Sequence, residues 1–78
     1  MKSLQIHLDS VEKVKNFVNI ITTLDGEFDL GSSRYVVDAR SIMGIFSLDL
    51  GKTLRLDVHN DSNMDEVKQK LSEFIVSG

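Results

Sequence analysis

Cysteine, proline and tryptophan are absent from the sequence, and so are long apolar runs. Without cysteine, neither a disulfide framework nor a thiolate metal site can form. The apolar runs are too short to cross a bilayer, which requires about 20 consecutive apolar residues. The first part of the chain carries acidic side chains throughout, in place of the apolar core of a signal peptide. We therefore expect a cytoplasmic protein with no membrane partner.

Concentrated positive charge is missing too. Nine Lys and Arg residues face twelve Asp and Glu residues, which gives a net charge of −3, and the basic residues are scattered along the chain. Binding to a nucleic-acid backbone is therefore not expected. We find no Ser, His and Asp arrangement, glycine-rich phosphate loop or cluster of metal ligands. The sequence predicts no enzyme active site, no cofactor and no metal site.

What the sequence does contain is enough apolar side chains for one core. Hydrophobic residues make up 41% of the 78 positions, and they fall in amphipathic segments. No internal repeat, low-complexity stretch or linker interrupts these segments. We predict a single domain that covers residues 1–78.

In the first third of the chain, apolar spacing changes from that of a strand to that of a helix. Residues 3–8 alternate between apolar and polar, which is typical of a half-buried strand. Asp9 is the expected helix cap, with Glu12 completing a capping box. The pair Asp25-Gly26 suits the end of this helix. The residues expected on its buried face are Val11, Val14, Phe17, Val18, Ile21 and Leu24.

The remaining elements follow from the same two spacings. Residues 27–30 and 35–38 predict two strands joined by a turn at 31–33, and residues 52–59 predict a fourth strand. A last helix follows, for which Asn63 with Glu66 can form the cap. Its expected buried stripe comprises Met64, Val67, Leu71, Phe74 and Ile75. The order is βαββαβα, which implies an α+β fold with one four-stranded antiparallel sheet covered on one face by three helices.

The segment at residues 40–51 is a short helix with more apolar surface than one face can bury. Ser41 is a helix-capping residue, and Gly51 is the expected stop. If Ile45 and Leu48 point inward, then Ile42, Met43 and Phe46 lie largely in solvent. Exposed apolar clusters of this kind favour a partner surface, to which Arg40 is added as a neighbour. Inward packing of a tilted helix and a contact between two copies of the chain remain open.

Two residues in this segment also have structural explanations. Ser41 can be a plain N-cap, which is worth about 1 kcal/mol. Gly44 costs about 1 kcal/mol in a helix relative to Ala. Close approach by another backbone or tight packing within the fold would each account for Gly44.

The run Ser-Ile-Met-Gly at 41–44, followed by an apolar residue and then by Ser47 and Leu48, closely resembles the central segment of HPr. HPr is the histidine-containing phosphocarrier of the bacterial sugar phosphotransferase system. The resemblance extends more loosely over nearly the whole chain and implies the open-faced β-sandwich of that family. It also implies that Ser41 is the target of a regulatory serine kinase. The adjacent Ile42, Met43 and Phe46 would dock onto phosphotransferase proteins or a transcriptional regulator.

Compared with HPr, the sequence differs at the position of the carrier histidine. In HPr the carrier histidine lies between the first strand and the first helix, in a Gly-Ile-His-Ala-Arg-Pro type of stretch. Here residues 8–13 contain no His, Arg or Gly, and Asp9 and Glu12 would repel a phosphoryl group at the helix start. His7 and Ser10 are the remaining candidate acceptors. If the first and fourth strands are antiparallel neighbours, His7 and His59 lie at opposite ends and cannot share a metal ion.

These observations lead to three functional hypotheses. The first is an HPr-like regulatory module that has no carrier histidine and binds a protein partner under control of phosphorylation at Ser41. The second is an atypical phosphocarrier in sugar transport that uses His7 or an unusual junction. The third is an interaction domain whose apolar patch serves only self-association.

Overall fold

Four strands and three helices alternate along the chain in the order βαββαβα. The structure, a computed structural model, describes residues 2–48, 50–59 and 64–76. The elements are β1 (Lys2–His7), α1 (Val11–Thr23), β2 (Phe28–Gly31), β3 (Val36–Asp38), α2 (Ile42–Phe46), β4 (Thr53–Val58) and α3 (Met64–Lys70). The predicted order and element types are confirmed, with strand boundaries that shift by at most one residue.

The strands form one antiparallel sheet in the order β1-β4-β2-β3. β4 lies inside the sheet, paired with β1 from Lys2↔Val58 to His7↔Thr53 and with β2 on its other side. The chain near the C-terminus covers the outer edge of β1, where the His7 N–H donates to the Phe74 carbonyl at 2.9 Å. The sheet and its three helices confirm the predicted α+β open-faced sandwich.

The core lies between one face of the sheet and the helices. Alternation along β4 buries Leu54, Leu56 and Val58 and leaves Thr53 and Arg55 in solvent. From the helical side, Phe17 and Phe74 meet edge to face with ring centroids 5.9 Å apart. The predicted buried residues that are confirmed are Val14, Phe17, Ile21, Leu24, Met64, Val67, Leu71 and Phe74. Val18 and Ile75 are partly buried against this core.

The start of α1 differs from the prediction. The N-cap is Ser10, whose Oγ accepts a hydrogen bond from the Lys13 N–H at 3.2 Å, so the predicted Asp9 cap is wrong. Asp9 instead forms an ion pair with the Lys13 ammonium at 3.0 Å. The predicted burial of Val11 is wrong as well, because this residue is 56% exposed at the first position of the helix. The helical spacing predicted a buried face that begins one turn before Val14, but this first turn of the helix is exposed to solvent.

Helix ends also differ. α3 ends at Lys70, so the predicted continuation of the helix through Phe74 and Ile75 is wrong. Ile75 instead forms an isolated antiparallel bridge with Ile6. α2 ends at Phe46, and Gly51, with φ of +92°, lies in the turn before β4 instead of stopping the helix. The predicted Asn63 cap lies outside the described residues.

The end of α1 is close to the prediction. The last helical residue is Thr23, and the cap residue Leu24 is extended, with its N–H donating to the Ile21 carbonyl. Gly26 has φ of +105°, a left-handed value that glycine adopts without steric cost. The chain therefore turns at Asp25-Gly26 toward β2, as the sequence predicted.

Candidate functional site

Ser41 caps α2 at the protein surface. Its Oγ accepts a hydrogen bond from the Gly44 N–H at 3.1 Å, and its carbonyl accepts from the Ile45 N–H at 2.9 Å. The Ser41 N–H donates to the Asp38 carbonyl at the end of β3, which fixes the approach to the helix. The predicted capping role is confirmed. Since the side chain is exposed, its hydroxyl is also accessible from solvent.

Gly44 has its explanation within the fold. A Cβ at this position would lie 3.1 Å from the Val37 Cβ and 3.1 Å from the Ser41 Oγ. Both distances are tighter than ordinary van der Waals contact. Gly44 therefore lets α2 pack closely on β3 while leaving the Ser41 cap undisturbed.

The two faces of α2 differ in burial. Ile45 is fully buried and Leu48 is nearly so, which confirms the predicted inward stripe. On the outer face, Met43 is 76% exposed and Phe46 is 37% exposed. Ile42 was expected largely in solvent, but it is half-buried against the core, so that expectation is wrong. We call the exposed residues Met43 and Phe46 of α2, together with the exposed N-cap Ser41, the α2 patch.

Arg40 is held by the fold. Its Nη2 donates to the Leu24 carbonyl at 3.1 Å and to the Gly26 carbonyl at 2.7 Å. The guanidinium carbon also lies 5.7 Å from the ring centroid of Phe28, within range of a cation–π contact. Arg40 therefore ties the segment before α2 to the α1–β2 connection. This geometry assigns the guanidinium a structural role, and we leave Arg40 out of the α2 patch.

The β1–α1 junction is occupied by its own polar contacts. Ser10 satisfies a helix N–H, and Lys13 pairs with Asp9. The hydrogen bond from Lys13 and its positive charge lower the pKa of Asp9, and nearby His7 adds a smaller lowering. Glu12 is exposed in the first helical turn. An anion at this helix start would therefore meet two carboxyl groups and a lysine that already has a partner.

The two histidines lie at opposite ends of the β1–β4 pair, as predicted. His7 is half-buried, and its Nε2 lies 2.8 Å from the Gly51 carbonyl oxygen. Because a carbonyl only accepts, Nε2 carries the proton and neutral His7 has its lone pair on Nδ1. His59 Nε2 lies 2.6 Å from Asp29 Oδ2 on the neighbouring strand. Each ring is therefore oriented by a local acceptor.

In residues 2–48, 50–59 and 64–76, no group of three or more His, Cys, Asp and Glu side chains is arranged to hold a metal ion. None of the helices in these ranges combines the length and apolarity that crossing a membrane requires.

The sequence of the β2–β3 turn indicates no function. Yet this turn forms one wall of a cavity of about 660 Å³, which also borders the end of α2 and the start of β4. Residues 32–34 show the composition of an ordinary turn, and the pattern contains no signal of the cavity. Only the pairing of β2 with β4 brings the turn close to Thr53.

Comparison with known proteins supports the fold. The crystal structure of HPr-C-His from Thermoanaerobacter tengcongensis is similar to this chain with a TM-score of 0.75 and 22% sequence identity. The match covers 94% of this chain and 89% of that one. No protein-family model matches the sequence, and no curated protein matches it. The predicted HPr-like fold is thereby confirmed.

Proposed function

We propose that the protein is an HPr-like regulatory module of the bacterial phosphotransferase system that binds a protein partner through the α2 patch. The observation that carries the proposal is the exposure of Met43 and Phe46 on a helix whose cap, Ser41, is also exposed. A thioether and an aromatic ring offer adaptable apolar contact area. The partners that fit this proposal are phosphotransferase proteins, a serine kinase or a transcriptional regulator, in the cytoplasm.

Phosphorylation of Ser41 would act directly on this surface. A phosphate adds a charge of about −1.5 to −2 at neutral pH and three acceptor oxygens. At an N-cap it can accept from free helix N–H groups, so the charge can be added without unfolding α2. A partner that recognises the α2 patch would then meet a negative group beside Met43 and Phe46. This supports a switch in which modification selects the partner.

The β1–α1 junction supports a module without carrier activity. Holding a phosphoryl group at a helix N-terminus requires free N–H donors and positive charge. Ser10 occupies one of these donors, and Lys13 is paired with Asp9. No arginine lies in residues 8–13. A phosphoryl group here would lack the charge-assisted contacts that an arginine supplies.

A second candidate function, atypical phosphocarrier, is favoured by one observation at His7. The Gly51 carbonyl holds Nε2–H, which leaves Nδ1 as the nucleophilic nitrogen. In a transfer, the Nδ1 lone pair would attack phosphorus, and the bond from phosphorus to the donor protein's nitrogen would break. Asp9 lies close enough to His7 to interact with it electrostatically and would disfavour the phosphorylated ring. Ser10 would yield a stable ester and could not relay the group.

Intact mass distinguishes the two functions. One sample is incubated with ATP and the HPr serine kinase, and another with phosphoenolpyruvate and the first enzyme of the phosphotransferase system. We expect an acid-stable phosphate on Ser41 in the first sample only, and Ser41→Ala should abolish it. The matched control Ser47→Ala, at the other end of the same helix, should leave the label in place.

The opposite outcome is equally clear. An acid-labile phosphate in the second sample, lost in His7→Ala, would replace the regulatory module with the carrier. If neither sample gains mass, the phosphorylation switch is refuted, and partner binding by the α2 patch is then tested with Phe46→Asp.

A further inference from the structure

The cavity beside the β2–β3 turn lies outside the proposed regulatory surface. It is an open cavity bordered by the turn, the end of α2 and the start of β4, and its volume of about 660 Å³ is within the range of small-molecule sites. Its lining residues are Ser32, Ser33, Arg34, Tyr35, Ser47, Leu48, Lys52 and Thr53. Ser47 and Leu48, which follow α2 and line the cavity, are not part of the α2 patch.

The charge of this lining is opposite to that of the protein. The chain has a net charge of −3, yet Arg34 lines the cavity and none of the described lining residues is a carboxylate. Arg34 is exposed, and none of the ion pairs found within residues 2–48, 50–59 and 64–76 involves its guanidinium. A guanidinium presents a planar fork of N–H donors that fits two oxygens of one phosphate.

Hydroxyl groups supply further donors. Ser32 Oγ accepts from the N–H groups of Arg34 and Tyr35, both at 3.3 Å, so its own proton remains available to a ligand. Ser33 and Thr53 add two more hydroxyls to the wall. Ser47 is different, because its hydroxyl donates to the Gly44 carbonyl at 2.5 Å and offers no proton. Several donors around one arginine suit an anion with three terminal oxygens better than a carboxylate with two.

The space next to these donors has room for more than a phosphate. A second cavity of about 320 Å³ shares Ser32, Ser33 and Thr53 with the first and extends to Arg55 on the open face of the sheet. Tyr35 and Leu48 also line the first cavity and offer apolar contact for carbon atoms. We propose that the cavity of about 660 Å³ binds a small organic phosphate. The phosphoryl oxygens would contact Arg34 and the hydroxyls of Ser32, Ser33 and Thr53.

NMR titration of the 15N-labelled chain tests the proposal. The probes are glycerol 3-phosphate, inorganic phosphate, glycerol and acetate, each at an ionic strength held constant with sodium chloride. We expect saturable shifts of the amide signals of Ser33, Arg34 and Thr53 with glycerol 3-phosphate, weaker binding of inorganic phosphate, and no saturation with glycerol or acetate. Equal affinity for the two phosphates would overturn the organic part of the proposal. Saturation with acetate would overturn its preference for phosphate.

Two charge variants distinguish phosphate binding in the cavity from nonspecific attraction of the anion to positive charge. Arg34→Gln should weaken binding of glycerol 3-phosphate by about tenfold, because one bidentate contact is lost. Lys68→Gln removes the same charge from α3, outside the cavity lining, and should leave the affinity unchanged. Thr53→Val, which removes one donor at similar volume, should weaken binding by about threefold or more. An absence of saturable shifts, or equal losses in Arg34→Gln and Lys68→Gln, would overturn the site.

Discussion

At the residue scale, the N-cap of α1 is Ser10 and not the preceding residue Asp9. Ser10 Oγ receives the Lys13 N–H, whereas the Asp9 carboxylate reaches the Lys13 ammonium. We therefore expect Ser10→Ala to lower the free energy of unfolding by about 1 kcal/mol in urea denaturation. Asp9→Asn should have a smaller effect, because it removes only an exposed ion pair. The reverse order of the two effects would restore Asp9 as the cap.

The same aspartate predicts a pH dependence. Its pKa in the folded protein lies below the ordinary value of 3.8, chiefly through the Lys13 hydrogen bond and charge. A lowered folded-state pKa means that the stabilisation is present above the unfolded pKa and is lost as the pH falls through the folded one. The small stability difference between wild type and Asp9→Asn should therefore be present at neutral pH and vanish well below pH 3.8. A difference that grew in acid would contradict this sign.

At the scale of elements, Gly44 sets the spacing between α2 and β3. Alanine would favour the helix by about 1 kcal/mol. Its methyl group, however, would lie 3.1 Å from both the Val37 Cβ and the Ser41 Oγ. Val37 is β-branched and has little freedom to move, and displacement of Ser41 Oγ breaks the cap. We expect Gly44→Ala to be net destabilising by about 1 kcal/mol in urea denaturation. A stabilised variant would show that α2 can move away from β3.

Arg40 joins three elements, and its replacement should affect their connection. Arg40→Met keeps an apolar stem but removes the hydrogen bonds to the Leu24 and Gly26 carbonyls. We expect a loss of about 1–3 kcal/mol in the free energy of unfolding. Amide hydrogen exchange should become faster around residues 24–28. If stability is unchanged while partner binding is lost, Arg40 belongs to the binding surface, as the sequence first suggested.

Sequence patterns predicted which helices and strands form better than they predicted the residues at which these elements begin and end. The spacing of Val14, Phe17 and Ile21 fixed the inner face of α1, because hydrophobic burial acts along the whole helix. Caps depend on the reach of one side chain, so the sequence alone could not distinguish Asp9 from Ser10. Phe74 and Ile75 continued the helical spacing of α3, but backbone pairing with β1 draws this segment out of the helix. Such pairing depends on distant residues, which local patterns do not contain.

At the scale of the whole molecule, the chain topology brings together residues that are distant in the sequence. The short run at residues 41–48 predicted Ile42, Met43 and Phe46 as a partner surface beside Ser41. In the structure, α2 presents Met43 and Phe46 to solvent next to the Ser41 cap, and Ile42 is half-buried. The cavity beside the β2–β3 turn arises only when β2 pairs with β4 and α2 ends nearby. Its residues come from three elements, so no single stretch could indicate it. The same fold thus presents an apolar patch on α2 and a cavity with Arg34 in its lining at the end of that helix.

The α2 patch predicts a specific pattern of association. Phe46→Asp places a charge on a side chain that is 37% exposed, whereas Val11→Asp does so at one that is 56% exposed on α1. Both variants should remain folded, as judged by circular dichroism and urea denaturation, because neither side chain lies among the fully buried residues. Binding to a phosphotransferase protein or transcriptional regulator, measured by calorimetry, should be lost only in Phe46→Asp.

Sedimentation of the same variants separates a partner surface from a self-association surface. A wild-type monomer would eliminate self-association as the role of the patch, since no dimer would exist for Phe46 to hold together. A wild-type dimer that Phe46→Asp, but not Val11→Asp, converts to monomer would instead assign the patch to a second copy of the chain. The regulatory proposal requires a monomer whose partner binding depends on Phe46 and changes when Ser41 carries a phosphate. Equal loss of binding in both variants would mean that the binding surface extends from α2 to the start of α1.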